Sequence, residues 1–546
     1  MSPPILSLLS AEALETHYRS GHWRDRTIYR VARAHAEAAP DRIALRDRVR
    51  SLTWRQMIAA ADGFAAELFR RGVARGDRVA FWMPDRIESV VVLLACSRNG
   101  YVVCPSPHRN HTVADIVRLL ERMRATAFLY QAGFGADAKE VDVAEALAGI
   151  GSLRHVWRLA ETHASDILNL PADPAAPPPV ADPNSVIYIA FTSGSTGNPK
   201  GAMHSDNTLL VTARGISTDW HIGPDSVVYS LSPFSHNLGV GALLTAIQGG
   251  AEYVIHDIGR GDSLVDRLAE TGATYLVGVP THAIDLLAEL RRRGMERCGR
   301  LSGFRISGAA APDHVIADLL PFGIVPQSGY GMTETNGHQY TLPGDDPTLI
   351  MESCGKACPG YEICIFDENE PTKPLPPGRI GLLAGRGASL MLGYYDDQAA
   401  TESSFNADGW FMTGDLGWVD GNGYLRLTGR GKEVIIRGGH NINPARIEEL
   451  AMRHAGIERA AALPIPDARL GERVCLAVMV KSGKSATAAE LLDHLAAAGL
   501  SRYDMPEFWL ELPDIPLMAN GKIQKLDIAK WIRDGAVTPV PVQPSE

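Results

Sequence analysis

Ten consecutive residues, Thr192-Ser193-Gly194-Ser195-Thr196-Gly197-Asn198-Pro199-Lys200-Gly201, crowd hydrogen-bond donors together with no negative charge among them. Three glycines let the backbone adopt positive φ and bring its N–H groups close to an anion. Four hydroxyls and one ammonium add donors to the same volume. That set suits a polyphosphate. A Walker A loop would need Gly at 199, where Pro stands, and Ser or Thr at 201, where Gly stands, so the ordinary kinase and GTPase readings fail. A solvated Ser/Gly linker is the bland alternative. The loop's place directly behind the apolar run 186–191 argues against it.

Such a loop has to be held by ordered elements, and the pattern around it supplies them. Apolar residues at helical spacing over 27–39 are closed by Pro40, and 42–46 with 51–54 bracket Asp47-Arg48 as a hairpin would. A helix over 55–71, a strand at 78–82, a helix over 86–99 and a strand at 101–104 follow. A helix over 112–124 and a strand at 127–130 come next. Strands alternating with helices at this spacing predict βαβ units on a parallel sheet. Residues 170–183 hold six prolines and read as an extended linker, after which a second α/β run covers about 185–350. Short strands with Gly/Pro turns from 355 to 427 predict a small β-rich subdomain. The last ~115 residues mix strands with helices, and the proline-rich tail from Pro539 reads as disordered.

Composition narrows the class. The chain has 546 residues, 45% hydrophobic, with 53 Lys+Arg against 63 Asp+Glu and a formal charge of −10. Length argues for about three to four domain-sized units, and the profile excludes collagen, a disulfide mini-protein and a disordered acidic tail. Without a basic stripe, nucleic acid is not the expected partner. The longest apolar run, 90–96, is far short of the ~20 residues of a membrane span, and the N-terminus lacks a basic leader region, so a cytoplasmic enzyme is expected. Cys354, Cys358 and Cys364 cluster without a CxxC pair and read as small buried hydrophobes rather than a zinc site.

The decapeptide resembles the phosphate loop of the adenylate-forming superfamily, which includes acyl- and aryl-CoA ligases, carrier-loading adenylation domains and beetle luciferases. Four further segments resemble that superfamily's motifs in the same order: Tyr330-Gly331-Met332-Thr333-Glu334, Gly409 through Asp415, Gly429 through Pro444, and Asn520 through Lys525. Ser307-Gly308-Ala309-Ala310-Ala311-Pro312 looks like its adenine-side turn. The resemblance spans about 27–530. It implies an α/β fold, with a large N-terminal domain (1–430) of two α/β subdomains plus a β-rich one. A small mobile α+β C-terminal domain (431–546) follows.

The resemblance also implies site residues. ATP would meet Thr192, Ser193, Gly194, Ser195, Thr196, Gly197, Lys200, Gly308, Ala309, Ala310, Tyr330, Gly331, Met332, Thr333, Asp415 and Arg430. Thr333 would contact the α-phosphate, Glu334 would hold Mg²⁺, and Lys522 would serve adenylation. Lys432 would be the hinge, and Arg437, Gly438, Gly439 and His440 would meet coenzyme A. For the acid, His236, Asn237, Gly241, Ala242, Gly308, Gly331 and Gly337 are the candidates, and their small size predicts a roomy, apolar pocket. The implied reaction is attack of a carboxylate on ATP, followed by displacement of AMP by a thiol. No carrier domain follows Trp531, which favours free CoA over an in-chain carrier. His236-Asn237 also resembles salicylate and dihydroxybenzoate adenylating enzymes. The hydroxyl residue usual five positions later is Ala242 here, which weakens that reading.

The run as a whole is most similar to cyclohexanecarboxylate–CoA ligases and short-to-medium-chain acyl-CoA synthetases. An alicyclic or aromatic ring acid is therefore expected. The alternatives are a medium-chain fatty acyl-CoA synthetase, an aryl-acid enzyme loading a carrier protein and a non-catalytic nucleotide-binding regulator. Two departures from the family pattern stand at Arg446, where Glu is usual, and at Leu517-Met518, where Lys or Arg then Thr often follow the proline.

Overall fold

The run 78–82 forms the strand Arg78–Trp82, buried along its whole length, as an inner strand covered on both faces must be. It pairs in parallel with Val102–Cys104 and Ala127–Gln131, and His155–Leu159 and Val186–Thr192 extend the sheet in parallel on either side. Lys200–Ser205 closes an antiparallel hairpin on Val186–Thr192, with Thr192 opposite Lys200. The computed structural model describes residues 6–162, 165–192, 199–259, 261–308, 311, 313–430, 434–516 and 523–542, except the side chains of residues 314, 429, 430 and 445.

A second sheet of nine strands has a parallel centre: Val325–Met332, Gly303–Ile306, Tyr275–Gly278, Val227–Ser230, Glu252–Ile255 and Ile43–Arg46. The early hairpin, Ile43–Arg46 with Ser51–Thr53, is present but belongs to this second sheet. Chain order therefore does not separate the two α/β units. One core explains why: helices Ile28–Ala38, Trp54–Arg70, Ile87–Asn99, Asp206–Asp219 and Asn237–Gly249 pack together with residues of both sheets. The proline-rich stretch 170–183 is likewise not a free linker. A Cβ on Gly63 would lie 2.0 Å from the Leu170 carbonyl oxygen, and the Val180 N–H donates to the Arg98 carbonyl, so it is a strap laid on two helices.

Tyr361–Phe366, Gly381–Gly387, Phe411–Val419 and Leu425–Arg430 form the antiparallel β-rich sheet expected for 355–427. Residues 434–516 and 523–542 build another sheet around the long antiparallel pair Ile457–Asp467 and Gly471–Val480. Helices Pro444–Met452 and Ala488–Ala497 cover one face and Lys525–Arg533 the other. The tail was expected to be disordered, but its residues Val540–Pro541 pair antiparallel with Phe508–Glu511. Proline is tolerated there because an edge strand need not donate on its outer side. Arg446 reaches Glu449 at 3.4 Å on its own helix, whereas the neighbouring Glu448 accepts from the Ala462 N–H at 2.8 Å and Lys525 at 2.7 Å. The departure at 446 thus falls on the outer side of the helix. Among the described residues, no helix is long and apolar enough to cross a membrane.

Candidate active site

The C-terminal ends of parallel strands leave a crevice where ligands collect, and here it deepens into a cavity of about 430 Å³. Thr192 and Lys200, which flank the donor-rich loop, line it, and the Lys200 ammonium lies 5.3 Å from the Tyr394 ring centroid. Gly331, Met332, Thr333 and Glu334 enter at the end of Val325–Met332. The close turn there requires glycine, because a Cβ at Gly331 would stand 2.0 Å from the Asn336 carbonyl oxygen. Glu334 is nearly buried and accepts from the Tyr394 hydroxyl at 2.7 Å. The Thr333 carbonyl is fixed by the His204 Nε2–H at 2.8 Å and the Asn237 amide at 3.1 Å.

Asp415 lines the cavity and accepts from the Tyr330 hydroxyl at 2.6 Å. It faces Arg430 across the antiparallel pair Phe411–Val419 and Leu425–Arg430. Glu334 and Asp415 are the carboxylates among the described lining residues. Magnesium sites are commonly one or two carboxylates completed by water and substrate phosphates. Glu334, beside Thr333 and across from the phosphate-loop stem, fits that pattern.

The C-terminal domain closes the cavity. Val434, Gly438, Gly439, His440 and Asn441 line it. Gly439 has φ +84°, and a Cβ on it would meet Val279 Cγ1 at 2.8 Å, so only glycine permits this approach of the two domains. His440 Nε2 lies 2.7 Å from Asp504 and 2.7 Å from the Asn110 amide of the large domain. Arg469 adds an exposed pair with Asp285 at 3.0 Å. None of the described residues of 511–542 lines the cavity.

These features coincide with one set of known proteins. The family model described as AMP-binding enzyme matches residues 32–395, and its C-terminal domain model matches 446–522. The chain belongs to the AMP-binding enzyme family. It is 29% identical to the medium-chain fatty-acid–CoA ligase of Escherichia coli (strain K12), over 96% of this chain and 94% of that protein. It is 30% identical to a Streptomyces salicylyl-CoA synthase / salicylate adenylyltransferase, over 96% and 97%. The fold matches Bacillus subtilis o-succinylbenzoate CoA synthetase with TM-score 0.78 at 24% identity, covering 92% and 98% of the two chains. This AMP-binding enzyme is of the acid–thiol ligase kind.

His236 occupies the N-cap position of the helix Asn237–Gly249 at the cavity wall, its ring making no capping hydrogen bond. Its ring lies 4.4 Å from that of His108, and His111 packs on His108 in turn at 5.0 Å. Enclosure lowers the His236 pKa to about 4, with His440 and His111 adding to the effect, so the imidazole is neutral at pH 7. The loop before it is pinned by the half-buried Asp85, which accepts from the Phe234 N–H at 2.9 Å and whose pKa desolvation raises to about 7. Asn237 also lines the cavity, but its amide is engaged by the Tyr188 hydroxyl at 2.6 Å and by Thr333.

The structure gathers most of the expected site residues of the enzyme. Thr192, Lys200, His236, Asn237, Gly241, Ala242, Gly308, Gly331, Met332, Thr333, Glu334, Gly337, Asp415, Gly438, Gly439 and His440 all line this cavity. Tyr330 and Arg437 do not: Tyr330 is buried with its hydroxyl on Asp415, and the Arg437 guanidinium makes a two-pronged pair with Glu507 at 2.9 Å inside the C-terminal domain. Ser193, Gly194, Ser195, Thr196, Gly197, Ala309, Ala310, Lys432 and Lys522, with the side chain of Arg430, lie outside the described residues. The expected apolar pocket is largely present, with Leu209, Ile216, Val240, Leu244 and Val277 in its wall. Thr212, Thr245, Tyr275, His282 and Arg305 line it besides the small residues. None of these falls in a motif, and each comes from the interior face of a helix or strand. The one available signal was an arginine inside the apolar strand run 303–306.

Proposed function

We propose that this enzyme joins a ring carboxylic acid to coenzyme A in two steps, using ATP and Mg²⁺. In the first, the acid's carboxylate oxygen attacks the α-phosphorus of ATP, an acyl–O–P bond forms and pyrophosphate leaves. The donor-rich loop stemmed by Thr192 and Lys200 holds the phosphates, Tyr330 and Asp415 hold the nucleoside, and Lys522 offsets the meeting of two anions. Mg²⁺ on Glu334 would neutralise charge on the phosphates. In the second step the thiol of CoA attacks the acyl carbon, AMP leaves with the bonding pair, and the thiol proton passes to solvent or a nearby base. Gly438 and Gly439 supply a side-chain-free wall for the pantetheine arm. Closure of the C-terminal domain about Lys432 keeps the adenylate from water.

The observation that carries this reading is the shared cavity: motif residues of the nucleotide end and the Gly438-Gly439 turn line one space. A neutral His236 beside the acid fits a wall that neither repels nor captures the reacting carboxylate. A cytoplasmic location is part of the same proposal, since ATP and CoA are supplied there.

The test is pyrophosphate release by purified protein with ATP, Mg²⁺ and a panel of cyclohexanecarboxylates, benzoates, salicylate and C4–C10 fatty acids, with and without CoA. Pyrophosphate with a ring acid, and thioester plus AMP only when CoA is present, is the expected result. Turnover restricted to fatty acids would move the substrate class. Adenylation without any thioester would point to a carrier protein as acceptor.

A further inference from the structure

One buried cation in this cavity has no counter-ion among the described residues. Arg305 lies on Gly303–Ile306, in register with Val277 and Gln327 of the flanking strands. It is 4% exposed. Its guanidinium donates to Gln327 Oε1 at 2.8 Å and to the Gly337 carbonyl at 3.1 Å, both neutral acceptors, and lies 5.7 Å from the Tyr340 ring centroid. Gln327 Oε1 is shared with the Tyr275 hydroxyl at 2.7 Å. A guanidinium has five N–H donors, so these contacts leave capacity facing the cavity that Arg305 lines.

Space has been left for the group. A Cβ at Gly337 would lie 2.3 Å from Arg305 Nη2, so the glycine there admits the guanidinium. Other buried arginines are treated differently. Arg86 is held by Glu88 at 2.8 Å, Arg267 by Glu270 at 3.1 Å and Asp257 at 3.4 Å, and Arg78 by three backbone carbonyls away from the cavity. Burial lowers the pKa of Arg305, as desolvation without a balancing anion should. A buried charge left unpaired is costly, and a ligand carboxylate is the group that best relieves it.

Arg305 stands three residues before Gly308, and at about 3.3 Å per strand residue that is on the order of 10 Å below the nucleotide end. We infer that Arg305 is a specificity site for a second carboxylate, and that the preferred acid is a ring dicarboxylate with one carboxyl at the nucleotide and the other on this guanidinium. The inference rests on the ligase reading above and names its substrate class. Thr212 lines the same inner space and offers its hydroxyl to the distal group, whereas the Thr245 and Tyr275 hydroxyls there already donate to the Gly241 carbonyl and to Gln327.

The test compares cyclohexane-1,4-dicarboxylate with its monomethyl ester, which differ in the charge of the distal group. Wild type should show kcat/KM roughly 100-fold higher for the diacid, in the range expected when a polar site meets an analogue lacking its partner. That ratio should fall to about one in Arg305→Met, mainly through KM, and take an intermediate value in Arg305→Lys. Calorimetric titration of the diacid into wild type and Arg305→Met separates this inference from the ligase reading. Binding to wild type but not to the variant would uphold the subsite even if no acid released pyrophosphate, a silence that would instead refute the ligase. Equal use or equal binding of diacid and ester by wild type would overturn the assignment of Arg305, without any appeal to a variant's folding.

Discussion

The two ends of the cavity are built in different ways. The nucleotide end is made of contiguous segments at strand ends and turns, such as 330–334 and the stem of the 192–200 hairpin. The acid end is made of side chains spread over several elements: Thr212 and Thr245 stand on two helices that each contribute several lining residues, and Tyr275, His282 and Arg305 come from elements that contribute one or two. Phosphate chemistry needs clustered backbone donors and a carboxylate at fixed spacing, and a continuous turn delivers those. Selecting an acid needs only the right side chain at each point of an interior wall. The first kind of site can be read in a line of sequence. The second exists only once the sheets have formed.

If the ends are separable in this way, substitutions at the nucleotide end should stop adenylation with every acid. Lys522→Ala should lower pyrophosphate release by about 10³-fold while ATP binding, followed by calorimetry, persists. Glu334→Gln should cost about 10²-fold in the same assay, part of it recovered by excess Mg²⁺. A loss confined to one acid would erase the distinction. Gly439→Val addresses the domain contact instead. Its side chain would run into Val279, so thioester formation should slow by roughly 10–100-fold while adenylate formation continues, a split visible in a single-turnover experiment.

A smaller effect is expected from His236. Its folded pKa is about 4 against an unfolded value of 6.5. The unfolded chain therefore binds the proton first, and stability present above pH 6.5 is lost as pH falls towards 4. The cost at pH 5 is at most about 2 kcal/mol. His236→Asn should lack this component, so the melting temperature of the variant should gain on wild type between pH 7 and 5. Smallest of all is Arg446→Glu. The residue reaches Glu449 on its own helix at 3.4 Å, and a change of about 0.5 kcal/mol or less in chemical denaturation is expected.

The same contrast governs how much could be read beforehand. Strands such as Arg78–Trp82 and helices such as Ile87–Asn99 were legible because buried parallel strands and core helices leave apolar runs of characteristic length. The pairing of Ile43–Arg46 with Glu252–Ile255 was not, since nothing local ties residues two hundred positions apart. Pro541 hid an edge strand because proline argues against strands in general and only the edge excuses it. Arg437 was expected at the thiol path from its neighbours Gly438 and Gly439, yet its partner Glu507 lies seventy residues on. Arg305 is one polar residue in a short strand, and it gains meaning because its guanidinium meets neutral acceptors and no acid among the described residues.

The most direct test is a single-turnover chase. Enzyme in excess is mixed with α-labelled ATP, Mg²⁺ and a ring acid that it uses, and CoA is added after the first phase. A labelled acyl-adenylate that accumulates, and then disappears into AMP and thioester at the moment CoA arrives, is the expected result. Labelled AMP appearing at the same rate with or without CoA, and no adenylate at any time, would contradict a two-step ligase working in one cavity.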